Sequence, residues 1–269
     1  MTAAETAAWQ DLERELAAWA ATGRRAELWW RDDDAAAPTP ALDRLLDLAA
    51  ASGAPLALAV IPARAEPALA SALAAHAADA GVLQHGYAHA NHAPAGAKKC
   101  ELVDPALRPQ ILDELSRGRE RLAALFGPRL RPVMVPPWNR IDPGLAARLP
   151  GLGFTTLSTY KARKGAAAAP GLAQVNCHLD ILQWHPQRQF LGTAAALALL
   201  TAHLAAKRAG AADAGEPSGI LSHHQAHDEA AWDFLAALLE RLARHPAVRL
   251  LPAAELFAAP RQAARERRP

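Results

Sequence analysis

Short apolar segments alternate with helical segments along the chain, and this alternation limits the fold more than any other feature. Each apolar segment is short enough for a strand, and most are followed by apolar residues at helical spacing. The predicted strands cover 27–30, 56–61, 82–84, 132–135, 154–159, 173–179, 219–222 and 248–251. Strands that alternate with helices form a parallel sheet. Seven or eight such units favour an α/β fold with a closed barrel over an open sheet.

The predicted helices lie between these strands, and one more precedes the first strand. They cover 39–48, 66–79, 105–126, 142–149, 193–207 and 228–244. In the leading helix, Thr2 and Glu5 have the spacing of a capping box, and residues from Trp9 to Trp19 recur at helical spacing before Gly23. We therefore expect this helix to pack against the main body.

The composition indicates one large domain. Hydrophobic residues make up 51% of the 269 residues, enough for a sizeable core. There is no linker and no internal repeat of about 20–50 residues. We expect an N-terminal helix over 1–23, a barrel over 24–258 and a flexible basic tail over 259–269.

Charge and cysteine content argue against several classes of protein. A net charge of +2 and a pI near 8.7 are too weakly basic to indicate nucleic-acid binding. Cys100 and Cys177 lack the CxxC spacing of a zinc knuckle and fit a reducing compartment. The first residues are acidic rather than typical of a signal peptide, and no apolar stretch reaches the roughly 18 residues of a membrane span. We expect a cytoplasmic protein with neither nucleic acid nor membrane as a partner.

Polar residues follow five of the predicted strands. These residues are Asp32–Asp34, His85, Pro136–Trp138, Asp180 and His223-His224. The carboxyl ends of the strands in a parallel barrel all face one way, and residues there are typically catalytic. The sequence therefore predicts one active site at one mouth of the barrel.

The histidines after the third strand are candidate metal ligands. His85 and His89 are four residues apart, so one helical turn would place both imidazoles on one face. His92 could cap the loop or contact substrate. Alternatively, one histidine is satisfied by backbone and the other lies on the surface. Two histidines with one carboxylate would leave metal positions open for water and substrate.

Three adjacent carboxylates, Asp32, Asp33 and Asp34, end the first predicted strand. They repel one another, and burying them is costly without a cation or paired donors. A metal would remove the repulsion, whereas the alternative is a solvated turn in which one aspartate caps the next helix. Non-haem iron oxygenases use the same ligand set, but the helix-rich alternation argues against their double-sheet folds.

A histidine on a strand opposite the metal could protonate a leaving group, and His223 has this position. The alternative is that His223 and His224 are loop residues and that Asp228 caps the next helix.

Taken in chain order, these residues resemble the five motifs of the polysaccharide deacetylase (NodB-homology) family, the family 4 carbohydrate esterases. The matching segments are Arg31-Asp32-Asp33-Asp34-Ala35, His85-Gly86-Tyr87-Ala88-His89, Val135-Pro136-Pro137-Trp138, Asp180-Ile181-Leu182-Gln183-Trp184 and Leu221-Ser222-His223. The second motif is the most specific, and the series spans most of the chain.

The resemblance implies a distorted (β/α)7-8 barrel and a metal-dependent hydrolase that removes an acyl group, expected to be N-acetyl, from a sugar or related substrate. It implies one divalent ion, expected to be zinc. By this register the metal ligands are Asp34, His85 and His89, the base is Asp33, the acid is His223, and the substrate contacts are Pro137, Trp138, Trp184 and His224. The two tryptophans could equally be core aromatics.

Three departures from the motifs matter. Val135 stands where the family has the arginine that holds the catalytic carboxylate, and Arg31 or Arg140 could replace it. Gln183 stands where a second acid is expected. Asp32 permits a shift of one residue, so that Asp32 and Asp33 would be the base and the ligand.

Two alternative functions stay open. One is a cytoplasmic amidohydrolase that acts on a small acylated amine. The other is a non-catalytic barrel that binds a ligand, which the missing arginine favours and the retained histidines and aspartates disfavour.

Overall fold

In the computed structural model, which describes residues 1–258, a mostly parallel sheet forms the centre of the chain. The strands are β1 (Ala26–Ala35), β2 (Leu56–Val60), β3 (Ala80–His85), β4 (Leu130–Val135), β5 (Thr156–Leu157), β6 (Ala167–Ala169), β7 (Leu172–Gln174), β8 (Cys177–Asp180), β9 (Leu182–Gln183), β10 (Gln189–Phe190), β11 (Ser218–Ser222) and β12 (Val248–Leu250). Seven of them form a parallel path in the order β5-β4-β3-β2-β1-β11-β8. Two more strands, β7 and β12, pair in parallel with β5 and β1.

The two ends of this seven-strand path meet. A parallel bridge joins Tyr160, just beyond β5, to Cys177 at the start of β8. The backbone N–H of Cys177 donates to the carbonyl of Thr159 (3.0 Å), and that of Lys161 donates to the carbonyl of Cys177 (2.8 Å). The alternation of strands and helices thus forms the distorted α/β barrel that the sequence predicts.

Eight helices surround the sheet in the described part of the chain. They are α1 (Ala3–Ala21), α2 (Pro40–Ser52), α3 (Pro67–Ala75), α4 (Ile111–Phe126), α5 (Pro143–Ala146), α6 (Thr193–Arg208), α7 (Glu229–Arg244) and α8 (Ala253–Leu256). The capping box of α1 is present: Thr2 accepts from the backbone of Glu5, whose carboxylate accepts from the backbone of Thr2. The helix packs on α6, where the indole of Trp19 donates to the Leu204 carbonyl (3.3 Å). None of the helices in residues 1–258 is both long and apolar enough to cross a bilayer.

Several predicted boundaries are wrong. The helix predicted over 105–126 begins at Ile111, because a residue that precedes proline disfavours helical backbone and Pro109 interrupts the start. The strand predicted over 173–179 is two strands, β7 and β8. The antiparallel pairs β6–β7 and β9–β10 were not predicted, since strands of two or three residues carry little periodic signal. The tail over 259–269 lies outside the described residues.

Side chains inside and outside the barrel form separate apolar layers. Alternate residues of a strand point to opposite faces, so Trp29 faces the interior while Leu28 and Trp30 face the helices. The end of the barrel opposite the carboxyl ends is closed by α8 and the residue after it. Phe257 packs edge-on against Trp29 with ring centroids 5.4 Å apart. The polar residues therefore lie at the other mouth, at the carboxyl ends of the strands.

Gly81 provides a test of this closed end. A Cβ atom there would lie 2.5 Å from Cβ of Ala253. We expect Gly81→Ala to lower the free energy of unfolding by about 1–3 kcal/mol, the usual cost of overpacking, measured by urea denaturation. Gly151→Ala is the control, because nothing lies within 4 Å of the added atom. The double variant with Ala253→Gly should recover stability, and failure to recover it would show that α8 does not close the barrel.

Candidate metal and catalytic site

Asp34, His85 and His89 come together at the polar mouth. Oδ1 of Asp34 lies 3.1 Å from Nε2 of His85 and 3.2 Å from Nε2 of His89. Asp34 lies at an irregularity in the β1–β2 register and has φ 72°. This bulge redirects its carboxylate, since a bulged strand re-aims a side chain. The three predicted metal ligands therefore form one group, with donor atoms within 4.8 Å of one another.

The chemistry of this donor set fits a divalent cation. Nδ1 of His85 lies 3.0 Å from the carbonyl of Val135, to which it donates, so in the neutral ring Nε2 carries the lone pair. That lone pair faces an oxygen of Asp34, and two acceptors at this distance repel unless a proton or a metal ion lies between them. Tetrahedral ligands about 2.0–2.1 Å from zinc are themselves about 3.3 Å apart. The observed separations are close to that value.

The ionisation of these groups follows from their contacts. Burial raises the pKa of Asp34, but the hydrogen bond and charge of His85, with His223 and His89, outweigh it and hold the pKa below its usual value. Burial and the charge of His85 lower the pKa of His89. Asp34 is therefore a carboxylate and His89 a neutral imidazole, the states in which both bind metal. Burial lowers the pKa of His85, but the hydrogen bond with Asp34 and the charges of Asp33 and Asp34 outweigh it and raise the pKa, so a metal ion would have to displace the proton of His85.

Backbone strain is concentrated at this mouth. Five non-glycine residues have positive φ in the described chain, and four of them are Asp34, His89, Trp138 and Asn139, with φ from 55° to 72°. Each such residue costs on the order of 1–3 kcal/mol and persists only where its surroundings hold it. Such strain is typical of functional sites, so it supports the predicted site independently of the residue types.

Glu101 holds the loop between the two histidines. Its fully buried carboxylate accepts from the backbone N–H of Tyr87 (3.2 Å) and of Ala88 (2.7 Å). A Cβ atom on Gly86, which has φ 54°, would lie 2.1 Å from Oε2 of Glu101. The glycine therefore makes room for the carboxylate. Glu101 is not predicted from the sequence, because an acid in a polar loop carries no signal of its distant backbone partners.

Asp33 is paired with Arg31 inside the barrel. Nε of Arg31 lies 2.9 Å from Oδ1 of Asp33, and Nη2 donates to Oδ2 at 3.0 Å. Both side chains are buried. Arg140, the other candidate to replace the motif-three arginine, instead donates to the carbonyl of Lys99 (2.9 Å).

Asp32 points to the opposite face of β1 and has partners of its own. It accepts from the hydroxyl of Ser222 (2.6 Å), the backbone N–H of His224 (3.0 Å) and Nδ1 of His224 (2.5 Å). Burial raises the pKa of Asp32, but the charge and hydrogen bond of His224 outweigh it and lower the pKa. The structure thus favours the register in which Asp33 and Asp34 face the mouth. His224, which is predicted to contact substrate, instead forms a buried ion pair with Asp32 beneath the mouth.

His223 lies beside Asp180 and Trp184. The rings of His223 and Trp184 meet edge to face with centroids 4.7 Å apart. The indole of Trp184 donates to Oδ2 of Asp180 (2.8 Å), which fixes its orientation. The backbone N–H of His223 donates to Nε2 of His227 (3.3 Å), and burial lowers the pKa of His227 to about 4. Nδ1 of His223 has no partner in the described residues.

The other predicted substrate contacts, Pro137 and Trp138, lie on the β4 side. The ring of Trp138 packs against His89 with centroids 4.4 Å apart. Pro137 is buried, and its ring atoms border the space beside Gly86. Trp184 is 39% exposed and lies on the β8 side, against His223. Trp138 thus borders the metal ligand His89, and Trp184 borders His223.

A second group with candidate metal donors, His178, His203 and Glu216, lies near the start of β8 and β11. Its chemistry does not fit a metal. Nδ1 of His178 accepts from the backbone N–H of Gly219 (3.0 Å), so Nε2 carries the proton, 3.2 Å from Oε2 of Glu216. A protonated Nε2 has no lone pair to offer a metal, and the imidazole rings of His178 and His203 stack 3.6 Å apart at 13°. The amine of Lys207 donates to Oγ of Ser218 nearby (3.5 Å), and burial lowers the pKa of this amine to about 8.

Comparison with known proteins identifies the fold. Neither a protein-family model nor a curated protein matches the sequence. Solved structures do match. A Mycobacterium smegmatis protein assigned as a polysaccharide deacetylase has a TM-score of 0.59 and 19% identity, covering 87% of this chain and 90% of that one. A family 4 carbohydrate esterase from Streptomyces lividans, in complex with acetate, has a TM-score of 0.53 and 17% identity over 83% and 90%.

A third match is a family 4 acetyl xylan esterase from Clostridium thermocellum, in complex with a cobalt ion. It has a TM-score of 0.50 and 15% identity over 86% and 89% of the two chains. The chain therefore has the fold of the family 4 carbohydrate esterases, the NodB-type barrel. The low identity is consistent with a divergent branch, as the departures from the motifs indicate.

Metal content tests the donor group. We expect about one divalent ion per chain in protein purified without an affinity tag, and His85→Ala should lose it, measured by plasma mass spectrometry and isothermal titration with zinc. His203→Gln is the matched control, because it removes an imidazole from the second histidine group. A folded wild type that binds no divalent ion would reject the metal site. If His203→Gln loses the ion and His85→Ala retains it, the metal site is the second histidine group.

Proposed function

We propose that this protein is a zinc-dependent hydrolase that removes an acyl group, specifically N-acetyl, from a sugar or a related substrate. One observation carries the proposal. The candidate metal ligands Asp34, His85 and His89 lie at the same mouth as Asp33, which is held by a buried arginine. A metal donor set next to an oriented carboxylate is the arrangement that hydrolysis of an amide or ester requires.

The residues divide the reaction between them. A divalent ion held by Asp34, His85 and His89 would supply Lewis acidity toward a water molecule and the acyl carbonyl. Asp33 accepts the proton of the attacking water, and His223 donates a proton to the departing nitrogen or oxygen. Asp180 and Trp184 hold the side of the mouth where His223 lies.

The exposure of the side chains at the mouth indicates which of them can contact substrate. Trp138 and Trp184 present aromatic faces on which a sugar ring can stack, and Pro137 shapes the wall beside them. His224 is buried and paired with Asp32, so we assign it to support of β1 rather than to substrate contact.

Proteins of similar fold agree with an acyl hydrolase. The Clostridium thermocellum neighbour is an acetyl xylan esterase, and a Bacillus subtilis neighbour (14% identity, TM-score 0.51) is a peptidoglycan deacetylase. Another neighbour is a pseudoenzyme of the family, seen as a mutant with restored activity. The missing motif-three arginine is what favours a non-catalytic barrel here, and the Arg31–Asp33 pair removes that support.

The two neighbouring aspartates should differ when each is changed to asparagine. We expect Asp33→Asn to keep its metal and lose about 10²–10⁴-fold in turnover, the usual contribution of a general base. Asp32→Asn should instead lower the free energy of unfolding by about 3–5 kcal/mol, because it leaves a buried charge on His224. Acetate release and urea unfolding measure the two effects. Unchanged turnover in Asp33→Asn would place the base elsewhere.

The substrate class is tested with a panel of acetylated compounds. We expect acetate release from N-acetylglucosamine oligomers of one to six units, and we expect a cytoplasmic enzyme to favour the short members. Acetylated polyamines in the same panel test the small-amine alternative, and Asp33→Asn is the inactive control. Wild-type protein with bound metal that releases no acetate from any compound would indicate a ligand-binding barrel.

A further inference from the structure

Arg31 occupies an unusual place for a charged side chain. It is fully buried and lies two residues before Asp33 on β1, so both side chains point into the barrel. Nη2 of Arg31 donates a hydrogen bond to Oδ2 of Asp33 at 3.0 Å, and Nε lies 2.9 Å from Oδ1 as an ion-pair contact without hydrogen-bond geometry. The carboxylate is therefore held by one charge-assisted hydrogen bond and a close ion pair.

The far side of the Arg31 guanidinium is fixed by two other strands. Nη1 donates to Oγ of Ser158 (2.7 Å) and to its carbonyl (3.2 Å), just beyond β5. Nη2 donates to Oδ1 of Asn139 (2.8 Å), just beyond β4, where the backbone is left-handed with φ 55°. The guanidinium is therefore held from three strands and cannot swing away from Asp33.

Val135 has no part in this network. Its side chain is fully buried in the apolar interior layer of the barrel, and its carbonyl accepts from Nδ1 of His85 and the backbone N–H of Gly86. Any cation that orients Asp33 must therefore come from another strand. Arg31 is the arginine whose nitrogens reach Asp33.

We propose that Arg31 is the positioning residue for the catalytic base: it holds the Asp33 carboxylate from β1, in place of an arginine on β4. The inference rests on the proposed function, because it acts through Asp33. A buried ion pair is weak evidence for a stabilising role, since apolar residues of the same volume often stabilise as well. A cation that is itself held in place beside the carboxylate can orient it, whereas an apolar residue cannot.

A double-mutant cycle tests this role. Arg31→Gln, Asp33→Asn and the double variant are compared with wild type as zinc-loaded protein, with the N-acetylglucosamine pentamer and 4-nitrophenyl acetate as probes. We expect Arg31→Gln to lower kcat about 10²-fold, as a misplaced catalytic group does, with KM and metal content unchanged. The double variant should be no slower than Asp33→Asn, because residues that act as a unit are not additive.

Two further variants separate positioning from folding. Arg31→Lys keeps the buried charge with a single donor centre, so it should recover part of kcat, and it replaces Arg31→Gln in the cycle if that variant does not fold. Arg163→Gln is the matched control, because Arg163 also pairs with an aspartate, Asp213, away from the site. It should leave kcat unchanged.

The failures are distinguishable. Multiplicative losses in the double variant of an active enzyme, or an equal loss of kcat in Arg163→Gln, overturn the role of Arg31 alone. A metal-bound wild type that releases no acetate from either probe overturns the proposed function and the positioning role with it.

Discussion

Three adjacent carboxylates on one strand set the constraint on which the polar mouth depends. Unpaired, they would repel one another in a partly buried site. The pleat of β1 turns Asp32 toward the helices and Asp33 toward the barrel interior, and the bulge redirects Asp34 to the mouth. Each carboxylate then has separate partners. Asp32 contacts His224 and Ser222. Asp33 contacts Arg31, and Asp34 contacts the histidines of the candidate metal site. The strand distributes its negative charge instead of concentrating it.

The carboxylates' partners, together with the residues that hold Arg31, come from four other strands of the ring, so the polar mouth is one network. His85 ends β3, Asn139 follows β4, Ser158 follows β5 and His224 follows β11. A parallel barrel brings the carboxyl ends of its strands to one side, so residues far apart in sequence meet there. The strained backbone at Asp34, His89, Trp138 and Asn139 persists because these contacts hold it. Loss of one contact therefore affects several strands.

Much of this fold could be predicted from the sequence, and some of the site could not. The alternation of elements and the polar residues after five strands predict the barrel and its mouth, since both signals are local. The two-residue period of β1 could have separated Asp32 from Asp33, because Trp29 and Trp30 already divide between the two faces. Glu101 carries no such signal, because its importance lies in backbone partners more than ten residues away.

The buried pair of Arg31 and Asp33 bears on function more strongly than the motif matches do. At these identities the similarity to known structures shows the fold alone, so chemistry has to be argued from the site. Without a cation beside it, Asp33 would be an unpaired buried charge, which is costly. A neutral residue at this position would avoid that cost, and so does a cation supplied from any strand. The chain has the carboxylate with Arg31 beside it, and a buried charge held in this way supports the proposal that Asp33 is the base.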